Sequence, residues 1–168
     1  RPPYVLEFTY QDQNFILINV HYKCCGDGNL DEEDNSDEEY RRLMASFYLE
    51  NYISENLNNQ NVIIVGDFND ELIDSENVFN VFLENSDEYD FTDFLMATEL
   101  NYWQYWSYPS WPSHLDHIII SNELFDDYQN INSFCNTILI DNTLSNGWSE
   151  YNNYISDHRP VGLSLNIN

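Results

Sequence analysis

Four short runs of apolar residues, at 15–20, 62–65, 118–120 and 161–165, interrupt a chain otherwise rich in polar side chains. Their length and Ile/Val bias are those of buried strands. Polar residues stand directly at an end of each run: Asn19-Val20-His21, Gly66-Asp67-Phe68-Asn69, Leu115-Asp116-His117 and Ser156-Asp157-His158. Carboxylates and imidazoles so placed converge at a sheet edge. Residues 4–10 and 14–22 predict two strands of an antiparallel hairpin around Gln11-Asp12-Gln13. Residues 38–58 predict a helix, with Leu49, Ile53 and Leu57 on successive turns and Tyr40, Leu43, Met44 and Phe47 widening the apolar arc. Strand 15–20, this helix and strand 62–65 then form a βαβ unit with parallel neighbouring strands, which puts His21 and Asp67 at the same edge. The fold class this implies is α/β.

The remaining segments are less patterned. The stretch 26–39, dense in Asp and Glu, predicts a solvated loop, and it lacks the Gly and the terminal Glu at the offsets a calcium loop requires. Segments 77–83 and 92–100 predict short helical or irregular pieces. Residues 102–112 carry four Trp/Tyr pairs or singles among prolines and predict a loop, whose rings either stack on a base or sugar or cover the core. A strand at 118–121, a polar loop holding a strand near 138–140, and a closing strand at 161–165 complete the reading.

Composition adjusts this picture. At 168 residues, with 42% hydrophobic and 16% aromatic side chains, the chain can bury one domain core and is not disordered. A net charge of −25 is the opposite of the basic footprint of a nucleic-acid binder. A divalent metal would offset phosphate charge locally, saline surroundings would screen the repulsion, and solubility alone also accounts for the acidity. No run is long and apolar enough to span a membrane. Cys24, Cys25 and Cys135 lack zinc-site spacing and leave two readings open, a disulfide from Cys135 to Cys24 or Cys25, or free thiols.

Phosphodiester cleavage needs an activated water, neutralised phosphoryl oxygens and a stabilised leaving alkoxide. Asp67, following a Gly turn, is the candidate to orient or deprotonate the water. Asn69, two residues on, can donate its amide to a phosphate oxygen without titrating. His117 alternates away from Asp116 along its strand and reads, with His114, as packing or surface.

The four motifs together resemble the endonuclease/exonuclease/phosphatase superfamily, whose best-known members are deoxyribonuclease I and the abasic-site endonucleases. The resemblance implies a layered sandwich of two β-sheets flanked by helices. It implies a hydrogen-bonded pair of Asp116 and His158 that holds phosphate, Asp157 as the ligand of Mg²⁺ or Mn²⁺ (with Ca²⁺ a further candidate), and His21 as a phosphate-contacting or acid–base histidine. Arg1, and with less family support Arg159, become candidate phosphate contacts. Because Arg1-Pro2-Pro3-Tyr4 and the strand after it resemble a mid-domain strand of that family, residues 1–168 are expected to be a partial domain whose N-terminal half, with a metal-binding Glu, lies upstream. An exposed apolar sheet face, weak activity and self-association are then expected of the isolated chain.

The activity implied is that of a divalent-metal-dependent phosphoester hydrolase, a secreted deoxyribonuclease-like endonuclease acting on nucleic acid outside the cell or in the periplasm. Secretion is expected from the Cys-Cys-Gly turn, which resembles that of secreted bacterial relatives. A phosphatase or phospholipase C-type enzyme acting on inositol phosphates or sphingomyelin is the enzymatic alternative. A non-catalytic binding module that keeps the fold is the alternative of another class.

Overall fold

The computed structural model describes residues 1–167. Strands β1 (Tyr4–Tyr10) and β2 (Gln13–His21) form the expected hairpin, turned by Gln11 and Asp12, both with positive φ. Positive φ at both central residues matches the twist of the flanking strands. Helix α1 (Glu38–Asn56) follows, then β3 (Asn61–Asp67), which lies parallel to β2. Two strands complete the main sheet: β4 (Tyr89–Phe91) and β5 (Asp116–Ser121), giving the order β1-β2-β3-β5-β4. The short helix α2 (Asn80–Leu83) precedes β4, and α3 (Phe94–Thr98) follows it, before β5. After β5 come α4 (Phe125–Tyr128), β6 (Phe134–Thr137), α5 (Gly147–Tyr154) and β7 (Val161–Ser164), and β6 and β7 pair as a separate two-stranded sheet.

Strand alternation divides the main sheet into two faces. Ile16, Ile18, Val20, Val62 and Ile64 pack with Leu49 and Ile53 of α1. Phe15, Ile63 and Ile120 face the other way, against Leu163 and Leu165 at and beyond β7. His21, Asp67 and Asp116 fall on this second face, by the same count of two.

Several expectations shift. The strand expected near 138–140 lies earlier, at β6, and Ile140–Thr143 is a turn of 3₁₀ helix. Helix α5 occupies a segment read as loop; it is held by buried Tyr151, whose hydroxyl donates to the carbonyl of His158 at 3.1 Å. The buried stripe of α1 is Glu39, Arg42, Ser46, Leu49 and Ile53, so its first half is polar, while Phe47 is exposed. That half packs on chain segments beside the cleft: the Arg42 guanidinium donates to Asp70 and to the carbonyls of Lys23 and Cys25. All seven residues of β1 are exposed, Tyr4 and Tyr10 among them, so the outer strand presents apolar side chains to solvent. No helix among the described residues is long and apolar enough to cross a membrane.

Candidate active site

Register alone assembles the centre of the site. In β2 and β3, His21 pairs with Asp67, and in β3 and β5, Asp67 pairs with Asp116. Paired residues on neighbouring strands point the same way, so the three side chains form one row across the sheet. Gly66 permits this close approach: its φ is +149°, and a Cβ there would collide with the carbonyl oxygen of Val20.

His158 joins the row from the loop before β7. Its Nδ1 lies 2.7 Å from Asp116 Oδ2, and its Nε2 is 3.9 Å from Asp67 Oδ2. His21 Nε2 approaches the same Asp67 oxygen at 4.0 Å from the opposite side. The other Asp67 oxygen accepts from the backbone N–H of Asn69 at 2.9 Å, which leaves Oδ2 facing the two imidazoles. Asn69, with φ of +54°, uses one amide proton on the carbonyl of Tyr22 at 3.4 Å and keeps the other free. Arg1 Nη1 donates to His21 Nδ1 at 3.3 Å, which puts the proton of a neutral His21 on Nε2, facing Asp67.

The cleft around these groups has a volume of about 760 Å³, and Arg1, His21, Asp67, Asn69, Asp157 and His158 all line it. Asp157 is exposed on the cleft wall, apart from the close-set group of Asp67, Asp116 and His158, whose ligand atoms lie within 4.8 Å of one another. Arg159 is not in the cleft. It is buried, paired with Asp141 at 2.7 Å and flanked by Trp103 and Trp148, with its guanidinium carbon 5.2 and 5.3 Å from their ring centroids. The expected phosphate contact is therefore a structural ion pair that fixes the residue next to His158. All three cysteines are free, Cys24 and Cys25 exposed and Cys135 half-buried, so the disulfide reading is replaced by the free-thiol one.

Burial raises the Asp67 carboxyl above its usual range, and the Asp116 carboxylate adds to the effect against His158, the Asn69 N–H and His21. For His158, burial alone would lower the pKa; the hydrogen bond and charge of Asp116, with Asp67 and Asp157 behind them, outweigh it and raise it. Raised folded values mean that both groups favour the fold most at low pH. For His158 that contribution is complete below an unfolded value of about 6.5 and is lost as pH rises through the folded one. An imidazolium proposed to hold phosphate would be lost over the same window. The alkaline limb of a pH–rate profile should therefore lie above the ordinary histidine range, and Asp116→Asn should move it to lower pH; a limb unmoved by the substitution would exclude His158 as its origin.

A divalent cation fits this donor set. Two carboxylates crowd one imidazole, and the Asp67 carboxyl pays for its burial in a raised pKa that a nearby positive charge would reverse. Such an ion would supply Lewis-acid polarisation of the phosphoryl oxygens and charge to offset the approaching phosphate. Asp67 and Asp116 are the oxygen donors of the close-set group that could hold it; Asp157, the ligand the family resemblance implies, lines the same cleft but lies outside that group. The chain's own groups could divide the remaining work: Asp67 Oδ2 is placed to orient and take a proton from a water, and a protonated His158 and the free Asn69 N–H are placed to hold phosphoryl oxygens.

Two contributors were not anticipated. The buried Ser107 hydroxyl accepts from the N–H groups of Leu115 and Asp116 at 2.9 and 3.1 Å, and the Ser107 carbonyl accepts from Arg159 N–H at 2.7 Å. One residue thus ties the Asp116 strand start to the His158 loop. Ser107→Ala should cost about 1–3 kcal/mol of stability through two orphaned N–H groups, and lower turnover by up to roughly 10²-fold through misplacement of Asp116. Chemical unfolding and steady-state kinetics on the same preparation check both. Tyr108 is the second, its ring 4.8 Å from that of His158. A lone Ser-Tyr in an aromatic loop carries no sequence signal for either role.

Residues 5–158 match the model of the Endonuclease/Exonuclease/phosphatase family. No curated protein sequence matches. Among solved structures, D. rerio TDP2 complexed with a single-strand DNA product superposes with a TM-score of 0.62 at 17% identity, over 97% of this chain and 60% of that one. A humanized D. rerio TDP2 gives 0.61 at 16%, over 97% and 59%. A mannosyl-6-phosphatase of Bacteroides thetaiotaomicron gives 0.54 at 15%, over 94% and 53%. The chain thus spans about three fifths of the length of the TDP2 structures. With its α/β architecture and a family match that runs from β1 through His158, the chain belongs to the endonuclease/exonuclease/phosphatase family.

Proposed function

We propose that this chain carries the catalytic cleft of a divalent-metal-dependent phosphodiesterase of the deoxyribonuclease-like kind, acting on nucleic acid outside the cell. The observation that carries the reading is the single row His21, Asp67, Asp116, completed by His158 on Asp116 at 2.7 Å. That arrangement supplies a base, an imidazolium and room for an ion within one cleft. A binding module without catalysis has no use for all of them together. Trp111, 74% exposed, and Tyr108 line the cleft and offer ring faces to a base. The single-strand DNA product held by the D. rerio TDP2 structure supports a nucleic-acid substrate by analogy.

A second reading, a phosphatase on small phosphate esters, draws on charge. Of the five Lys and Arg residues, Arg42 and Arg159 are buried in ion pairs and Lys23 pairs with Glu38 at 3.5 Å. Arg41 is exposed on α1, and Arg1 lies beside His21 as the cation of the catalytic row, little for a long polyanion to grip. Incubating the chain with Mg²⁺ or Mn²⁺ and either plasmid DNA, a sugar phosphate, an inositol phosphate or sphingomyelin separates the readings. Nicking of the plasmid supports the nuclease. Release of phosphate from the small esters with intact plasmid overturns it in favour of the phosphatase, and no metal-dependent turnover of any substrate overturns both.

A further inference from the structure

Directly beneath the cleft, on the face of β5 opposite Asp116, three side chains without a role in the chemistry above close around one point. Asp93, His114 and His117 are each 0–1% exposed. Asp93 Oδ2 lies 2.7 Å from His117 Nδ1 and 3.2 Å from His114 Nε2. Their three inward atoms lie within 4.8 Å of one another. Phe68, Phe79 and Phe91 ring the His117 imidazole, so water does not share this space freely.

The outer nitrogens fix the tautomers. His117 Nε2 faces the carbonyl of Asp70 at 3.1 Å, and His114 Nδ1 faces the carbonyl of Tyr105 at 2.5 Å. Carbonyl oxygens only accept, so both outer nitrogens carry protons. In neutral rings the two inner nitrogens then hold lone pairs, aimed at a carboxylate oxygen that is itself an acceptor. Three acceptors cannot stabilise one another. Three arrangements would resolve this: each ring takes a second proton, His117 alone takes one and shares it with Asp93 at 2.7 Å, or a cation sits among the three. Two protonated rings place like charges on imidazoles whose centroids are 5.5 Å apart in an apolar pocket. One protonated ring leaves the buried lone pair of His114 Nε2 facing a carboxylate without a partner. A cation satisfies all three atoms. His114 Nε2, 3.2 Å from the carboxylate oxygen, makes no hydrogen bond and is the one buried side-chain polar atom among the described residues left without one. The 3.2 Å separation is close to the roughly 3.3 Å expected between two donors at bond lengths of about 2.0 Å in a tetrahedral shell, while the 2.7 Å between Asp93 Oδ2 and His117 Nδ1 is a hydrogen-bond distance that a bound ion would have to widen.

The surroundings match what such ligands require. Each imidazole is oriented by a backbone carbonyl on its far nitrogen, and Asp93 Oδ1 accepts from Ile118 N–H at 2.8 Å, turning Oδ2 inward. Two imidazoles and one carboxylate suit Zn²⁺ or a neighbouring transition ion rather than Mg²⁺. We propose that Asp93, His114 and His117 form a buried structural site for a zinc-class transition-metal ion, separate from the cleft and braced against the strand that carries Asp116.

The test is a Co²⁺ titration of the chelator-stripped full chain, followed by the visible absorption of low-coordinate Co²⁺. The expected result is one equivalent of intense bands that Zn²⁺ abolishes and excess Mg²⁺ does not, retained in Asp67→Asn/His158→Ala and lost in His114→Gln. Because the His114 variant can fail to fold, ring ¹⁵N shifts of the wild type are read alongside, with one equivalent of Zn²⁺ expected to move His114 Nε2 and His117 Nδ1 into the metal-bound range. The proposal is overturned by absence of the bands, by their loss in the cleft variant, or by rings that stay doubly protonated with Zn²⁺ in excess.

Discussion

Asp67→Asn is expected to lower phosphodiester turnover by about 10²–10⁴-fold with the fold intact. Asparagine keeps the size of the side chain and can still accept from the Asn69 N–H, so the turn that positions the residue survives. What is lost is the basic oxygen between His21 and His158, the atom proposed to take the proton of the attacking water. His158→Ala removes the phosphate-binding imidazolium and should cost a similar factor. The two losses should not add, because base and imidazolium act on one transition state; the double variant is expected near the weaker single one. Initial rates with Mn²⁺ in excess, and circular dichroism to verify folding, provide the check. Full additivity would mean that the two residues serve separate steps.

The largest stability effect is expected at Arg42, which is 2% exposed. Its guanidinium pairs with Asp70 at 2.9 Å and with Glu39, and donates to the carbonyls of Lys23 and Cys25 at 2.7 and 2.9 Å. One side chain thus joins α1, the segment after β2 and the motif after β3. Arg42→Met fills similar space but strands two buried carboxylates and two carbonyls, and should destabilise by about 3–5 kcal/mol. Urea unfolding at neutral pH measures this. Burial, with Asp74 adding to it and Arg42 opposing it, raises the Asp70 carboxyl, so without the guanidinium Asp70 should bind its proton more tightly still. The deficit should then shrink as pH falls and the carboxylates protonate; a loss independent of pH would point to packing instead.

These residues also mark what local pattern reveals. Short, nearly continuous apolar runs rich in Ile and Val, and a helix between two of them, disclose β2, α1 and β3 and place His21 beside Asp67 through a parallel crossover. The Asp116–His158 pair followed from family resemblance, since 42 residues separate the partners. Arg159 was misplaced for the opposite reason: adjacency to Asp157-His158 suggests the cleft, whereas two tryptophans and Asp141, distant in sequence, draw it into the interior. Strand β4 is three residues long and α5, Gly-Trp-Ser-Glu-Tyr-Asn-Asn-Tyr, is mostly weak helix formers, so neither carries enough propensity to stand out; tertiary contacts stabilise both. Ser107 and the cluster under β5 are legible only in three dimensions, because each acts through backbone groups of other segments.

The account stands on one cleft in which Asp67, Asp116 and His158 work with a divalent ion on a phosphoryl group. Hydrolysis of bis(p-nitrophenyl) phosphate by the chelator-stripped chain, with and without added Mn²⁺, beside the Asp67→Ala/His158→Ala variant, tests it most directly. The predicted result is hydrolysis that appears only with the metal and falls to background in the double variant. Metal-independent hydrolysis, or equal rates for the two proteins, would contradict it.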